Sequence, residues 1–149
     1  MNREEVMNFL NLGTMTAKVS TATLDGTPHV APVWFVIDYD PSSSNDEDFT
    51  ISFTTFYKSV KARHLISNPK ICLCVDDQKP PFSFVIINGV AEIDPHPKSD
   101  ELLSLTRRIA ERYMGIENAE TYGKRNAVKG ECIVIIKPCK IIAQKNISD

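Results

Sequence analysis

The sequence predicts a mainly β fold, an antiparallel barrel with helices packed on its outside. Three observations carry this. Six or seven strand-like segments follow one another as antiparallel neighbours. Two of them flank Asp25-Gly26, a pair that favours hairpins because glycine takes the positive φ a tight turn requires. The strand–helix alternation that builds a parallel sheet is absent. With 149 residues, 42% hydrophobic and 24% charged, the chain suits one domain spanning 1–149 and an ordinary globular core.

The elements read in order as follows. Residues 3–11 form a short helix, with Val6, Phe9 and Leu10 on one face. Thr16 to Leu24 alternates as a strand, Asp25-Gly26 turns, and Pro28 to Ile37 is its nearly all-apolar partner. Asp38 to Asp48, with Pro41 and three consecutive serines, is an exposed, mobile hairpin loop. Phe49 to Thr54 is a strand. A helix over Ser59–Ser67 follows, and Asn68-Pro69 stops it because proline disfavours helix in the residue before it. Lys70 to Val75 and Phe82 to Ile93 are strands, the second with Gly89 at a bulge or close approach. Lys98 to Met114 is the longest helix, striped by Leu102, Leu105, Ile109 and Tyr113. A short helix over Ala119–Asn126 precedes two strands, Glu131–Ile136 and Lys140–Gln144, parted by Pro138.

Charge and composition exclude several functions. Seventeen basic against 19 acidic residues give a net charge of −2, without the basic surface that nucleic-acid binding requires. No segment has the apolar length of a membrane span, and the charged N-terminus lacks the apolar core of a signal peptide, so a cytoplasmic protein is expected. Cys72, Cys74, Cys132 and Cys139 form no C-x-x-C, and the three histidines have no ligand spacing. The cysteines read as free thiols and no metal is expected.

Chemistry concentrates where the third strand gives way to the second helix. Thr54, Thr55 and Ser59 offer hydroxyls, the helix start offers backbone N–H groups, and Lys61 offers a charge suited to phosphate. Lysines at 58 and 61 oppose the helix dipole unless an anion is present. Taken alone, Ser59 capping a helix beside solvated lysines is the commoner pattern. Trp34, in Pro32-Val33-Trp34-Phe35, is the only tryptophan, and its ring either covers a ligand or fills the core. Pro80-Pro81-Phe82-Ser83-Phe84 reads as a rigid apolar rim for a planar ring or as the start of a strand. No nucleophile–base pair, dinucleotide fingerprint or P-loop is present, so no catalytic side chain is assigned.

In order and spacing, four passages resemble the pyridoxamine 5′-phosphate oxidase-like superfamily of flavin and deazaflavin split barrels. They are Ser20-Thr21-Ala22-Thr23-Leu24-Asp25-Gly26-Thr27-Pro28-His29, Ala31-Pro32-Val33-Trp34-Phe35, Lys61-Ala62-Arg63-His64-Leu65 closing on Asn68-Pro69, and Gly89-Val90-Ala91-Glu92-Ile93. The resemblance implies a homodimer with FMN, or alternatively coenzyme F420, in clefts between the subunits. It implies an oxidoreductase passing hydride through the bound ring to a small molecule. It also implies that Thr54, Thr55, Ser59 and Lys61 hold the cofactor phosphate, that Pro32, Val33, Trp34 and Phe35 run along the ring, and that Phe82 and Phe84 form a wall. The alternative is a non-enzymatic flavin- or haem-binding stress protein. Val60 stands where the oxidases carry arginine, and the tryptophan- and arginine-bearing tail that grips pyridoxal is not seen. Oxidation of vitamin B6 is therefore not expected. His64 stands where asparagine is usual.

Overall fold

A computed structural model describes residues 1–149. The elements are α1 (Arg3–Leu10), β1 (Ala17–Ala22), β2 (Pro28–Val33), β3 (Val36–Tyr39), β4 (Phe49–Phe56), α2 (Val60–Ser67), β5 (Lys70–Asp76), β6 (Phe84–Asp94), α3 (Ser99–Met114), α4 (Ala119–Asn126) and β7 (Glu131–Gln144), with a 3-10 turn at Ile116–Asn118. The seven strands make one antiparallel sheet in the order β2-β1-β5-β6-β7-β4-β3. No helix is long and apolar enough to cross a membrane.

The predicted strand over Pro28–Ile37 is in fact two strands, and the break closes the fold. β2 lies at one edge of the sheet and β3 at the other, yet only Trp34 and Phe35 separate them. The edges of a flat seven-stranded sheet would be about 29 Å apart. Three Cα steps reach about 11 Å. The sheet must therefore roll until its edges meet without pairing, which is a split barrel.

Three further expectations are corrected. The Asp25-Gly26 hairpin forms, but by a different turn. Gly26 N donates to Thr23 O (3.0 Å), so Leu24 and Asp25 are the central turn residues and Gly26 follows them at φ 91°. This is a three-residue loop, not a two-residue primed turn. The final two strands are one. Pro138 sits opposite Gly89, where the register shifts between Asn88 and Gly89, and a proline at a bulge costs no ladder hydrogen bond. A Cβ on Gly89 would lie 2.6 Å from Lys137 O. Gly89→Ala is therefore expected to cost about 1–3 kcal/mol in urea unfolding, since the obstacle is backbone. Finally, the loop 40–48 is tied down. The Arg3 guanidinium donates to the carbonyls of Asn45 (2.8 Å), Asp48 (3.0 Å) and Asp40 (3.2 Å).

Apolar alternation fills the barrel. Val19, Phe35, Ile51, Phe53, Leu73 and Ile87 meet inside it, joined by Met7 and Leu10 of α1 and Leu65 of α2. A smaller core lies outside, where Leu102, Leu105 and Ile109 of α3 cover Val36 and Ile133. Residues 35 and 37 of the seam thus face the barrel interior, while Val36 faces α3. The opposite stretch of outer sheet has no such cover. There Pro32, Lys18, Cys74, Ile86 and Ile142 stand in one row across five strands, and neither core draws on them.

Candidate functional site

The site is assembled where β4 ends and α2 begins. Tyr57 N donates to Gly130 O (2.8 Å), fixing the end of β4 against the start of β7. Ser59 has extended backbone (φ −62°, ψ 154°) and caps α2 by accepting from Ala62 N at 3.2 Å. Its hydroxyl also bonds the buried Thr55 hydroxyl at 2.8 Å. The amides of Val60 and Lys61 have no intramolecular partner, and the first turn of α2 carries no acidic residue. His64 ties the helix to β1 through Thr21 Oγ1 (3.0 Å), so asparagine's usual place is filled by a residue that anchors α2.

Lys61 is partly buried and takes part in none of the ion pairs. Burial lowers its pKa, and Glu131 opposes this as the neighbouring negative charge. Burial likewise raises the Glu131 pKa, against a Thr54 hydrogen bond and Lys61. Desolvation outweighs mutual attraction for both groups, so their charges are under-compensated. Glu131 was invisible as a site residue in the sequence. It reaches the site because it pairs with Phe56 across β4 and β7.

Trp34, at the seam, is 38% exposed and stacks on Tyr113 of α3, with centroids 5.0 Å apart and planes 2° apart. Beside it Arg112 donates to the carbonyls of Leu10 (2.7 Å), Phe35 (2.9 Å) and Gly13 (3.1 Å). The β3–β4 register pairs Val36 with Ser52, which brings the Trp34–Phe35 crossover to the level of Thr54 and Phe53. The predicted residues therefore divide. Trp34, Thr54, Ser59 and Lys61 are accessible around one end of β4, and Thr55 supports them from below. The side chains of Val33 and Phe35 are buried in the barrel core and have no surface to offer a ring. Pro32 is exposed on the uncovered outer row. Phe82 and Phe84 lie far away. Phe84 pairs with Gln144, at the opposite end of β7 from Glu131, about 40 Å measured along the strand.

A concavity of about 780 Å³ lies elsewhere. It lies between α3 and the sheet, and its lining carries five carboxylates, Asp38, Glu92, Asp94, Asp100 and Glu101, with Arg108 as its one cation and Lys137 paired to Glu92 at its edge. Such a groove repels phosphate, so the start of α2, with Lys61 and two unpaired amides, is the better candidate for an anion.

The pyridoxamine 5′-phosphate oxidase family matches residues 3–142. No curated protein matches the sequence. Among solved structures, the conserved hypothetical protein Rv2991 from Mycobacterium tuberculosis superposes with a TM-score of 0.76 at 23% identity, over 99% of this chain and 87% of that one. An F420 reductase gives 0.65 at 23% identity, over 91% and 94%. The heme storage protein HutZ from Vibrio cholerae gives 0.69 at 13% identity, over all of both chains. These likenesses establish the fold.

Proposed function

Since the chain belongs to the pyridoxamine 5′-phosphate oxidase family, we propose that it is an FMN-binding oxidoreductase that moves hydride to or from a small molecule and anchors the cofactor phosphate at the start of α2. The observation that carries this reading is Lys61, a partly buried ammonium with no hydrogen bond or close ion pair, beside two unpaired amides at a helix N-terminus. The donor set fits a phosphate in kind: Lys61 supplies charge, the Val60 and Lys61 amides supply directed N–H groups, and Ser59 and Thr54 supply hydroxyls. Bound flavin supplies the hydride chemistry. The chain's own part is to hold the phosphate, orient the ring along the seam and exclude water there. No side chain is assigned a proton transfer.

A homodimer completes the reading. The uncovered outer sheet, with Val30 64% exposed and Ile142 40%, suits a second copy of this chain. Only a partner subunit would bring Phe82 and Phe84 near a cleft whose phosphate end is Lys61. Gel filtration at dimer mass supports this; monomer mass overturns it. A cytosolic setting agrees with the four free cysteines.

Coenzyme F420 is the second reading, favoured by one feature. Glu131 beside Lys61 offsets part of the lysine's charge, which suits a phosphodiester monoanion better than a phosphomonoester dianion. Absorbance titrations with FMN and with F420 test both readings. Saturable binding of either supports a cofactor site, and binding of neither sinks it.

The pH dependence follows from Lys61. Its folded-state pKa lies below that of a free lysine. Phosphate affinity is therefore expected to hold at neutral pH and to fall as pH rises through that lowered value. Lys61→Arg should abolish the alkaline fall, because guanidinium stays charged. In the unliganded protein the sign reverses: between the folded and unfolded pKa values the unfolded chain binds more protons, so stability rises with pH across that window.

A further inference from the structure

We infer that Tyr113 is a positioning residue that holds Trp34 as a stacking platform for the tricyclic ring of the cofactor, flavin or deazaflavin. The inference rests on the proposed cofactor site and extends it to α3.

Trp34 is not a core residue. At 38% exposure it keeps much of a large apolar ring in solvent, although its neighbour Phe35 is fully buried. One indole face is covered by the parallel Tyr113 ring at 5.0 Å. The surface of Trp34 that stays exposed is open to a planar partner, and offset parallel stacking is a favourable aromatic geometry. The covering ring is itself fixed. Tyr113 Oη donates to Met15 O at 2.8 Å and accepts from Phe35 N at 3.3 Å. The Arg112 guanidinium sits 5.1 Å from the Tyr113 centroid and 4.5 Å from that of Phe35, bracing the stack from behind.

The platform also lies in the right place. Residue 34 shares the α3-facing side of the seam with Val36, whose partner is Ser52, and Thr54 continues that side of β4. Thr54 lies two residues before Phe56, whose partner on β7 is Glu131, the neighbour of Lys61. A ring lying on Trp34 would therefore run toward the phosphate anchor, not away from it.

The test separates ring from phosphate. Lumiflavin, which has the ring without the phosphate tail, and FMN are titrated into wild type, Tyr113→Leu, Tyr113→Phe, Trp34→Leu and Lys61→Ala. If F420 proves to be the ligand, it and its phosphate-free deazaflavin core replace them. Tyr113→Leu and Trp34→Leu are expected to weaken lumiflavin binding about fivefold and to abolish the shift of the visible flavin band. Tyr113→Phe, which keeps the ring, should retain most of the affinity. Lys61→Ala should weaken FMN and leave lumiflavin unchanged. Wild-type lumiflavin affinity in folded Tyr113→Leu overturns the inference while leaving the phosphate anchor standing. If that variant fails to fold, Trp34→Leu decides, and unchanged affinity there overturns it. If wild type binds neither ligand set, the cofactor reading falls and takes this inference with it.

Discussion

Phe35→Ala is expected to lower the free energy of unfolding by about 3–5 kcal/mol in urea denaturation, with the m-value unchanged. Phe35 is fully buried. It belongs to the barrel core, and the Arg112 guanidinium packs 4.5 Å from its ring centroid. Truncation removes buried apolar surface, opens a cavity at the seam and unseats the arginine that ties α1 and α3 to the crossover. Its main-chain N–H and C=O already serve Tyr113 and Arg112. Whatever protein remains folded should therefore keep the Tyr113 hydrogen bond to the main chain of residue 35 while losing the packing that seats Arg112. A loss under 1 kcal/mol (on the order of a surface substitution) would contradict the packing.

Lys61→Ala is expected to weaken FMN, or F420 if that is the ligand, by about 10- to 100-fold, the range of a hydrogen bond to a charged group. The fold should survive. Lys61 makes no internal hydrogen bond, so its removal leaves no acceptor orphaned, and relief from partly burying a cation offsets the lost attraction to the partly buried Glu131. Unfolding midpoints should change little, which distinguishes a binding defect from a folding defect. Lys61→Arg should restore much of the affinity at neutral pH. A fully active anion site in Lys61→Ala would move the anchor elsewhere.

The difference between these two residues shows what the sequence made legible. Local patterns were reliable. The α3 stripe, the Ser59 cap, the Asn68-Pro69 stop and the close approach at Gly89 all rest on chemistry within a few residues or on one backbone constraint. The split at Trp34-Phe35 was not legible. An unbroken apolar run gives no sign that its two halves belong to opposite edges of one sheet, because only closure of the barrel requires it. For the same reason Phe35 reads as a neighbour of Trp34 and not as core. Pro138 misled in the other direction: it marks a break locally, but the bulge opposite Gly89 accommodates it.

The candidate site divides along the same line. Thr54, Thr55, Ser59 and Lys61 lie within eight residues, so spacing alone could bring them together. Glu131, Arg112 and Tyr113 arrive through strand pairing and helix docking, which no local motif encodes. Spacing alone puts Tyr113 on the apolar stripe of α3, where it is partly buried. Its hydroxyl's two partners, Met15 and Phe35, are fixed only by the tertiary fold.

The central claim is that the start of α2 holds the phosphate of a ring cofactor, and subtracting that phosphate tests it most directly. FMN and riboflavin differ in this group alone, as F420 and its phosphate-free core differ in the phosphate-bearing tail. The dissociation constants of each pair are measured in wild type and in Lys61→Ala at neutral pH. The account predicts that wild type prefers the phosphorylated ligand at least tenfold (on the order of one charge-assisted contact) and that Lys61→Ala erases the preference. Equal affinities in wild type, or a preference that persists without Lys61, would contradict it.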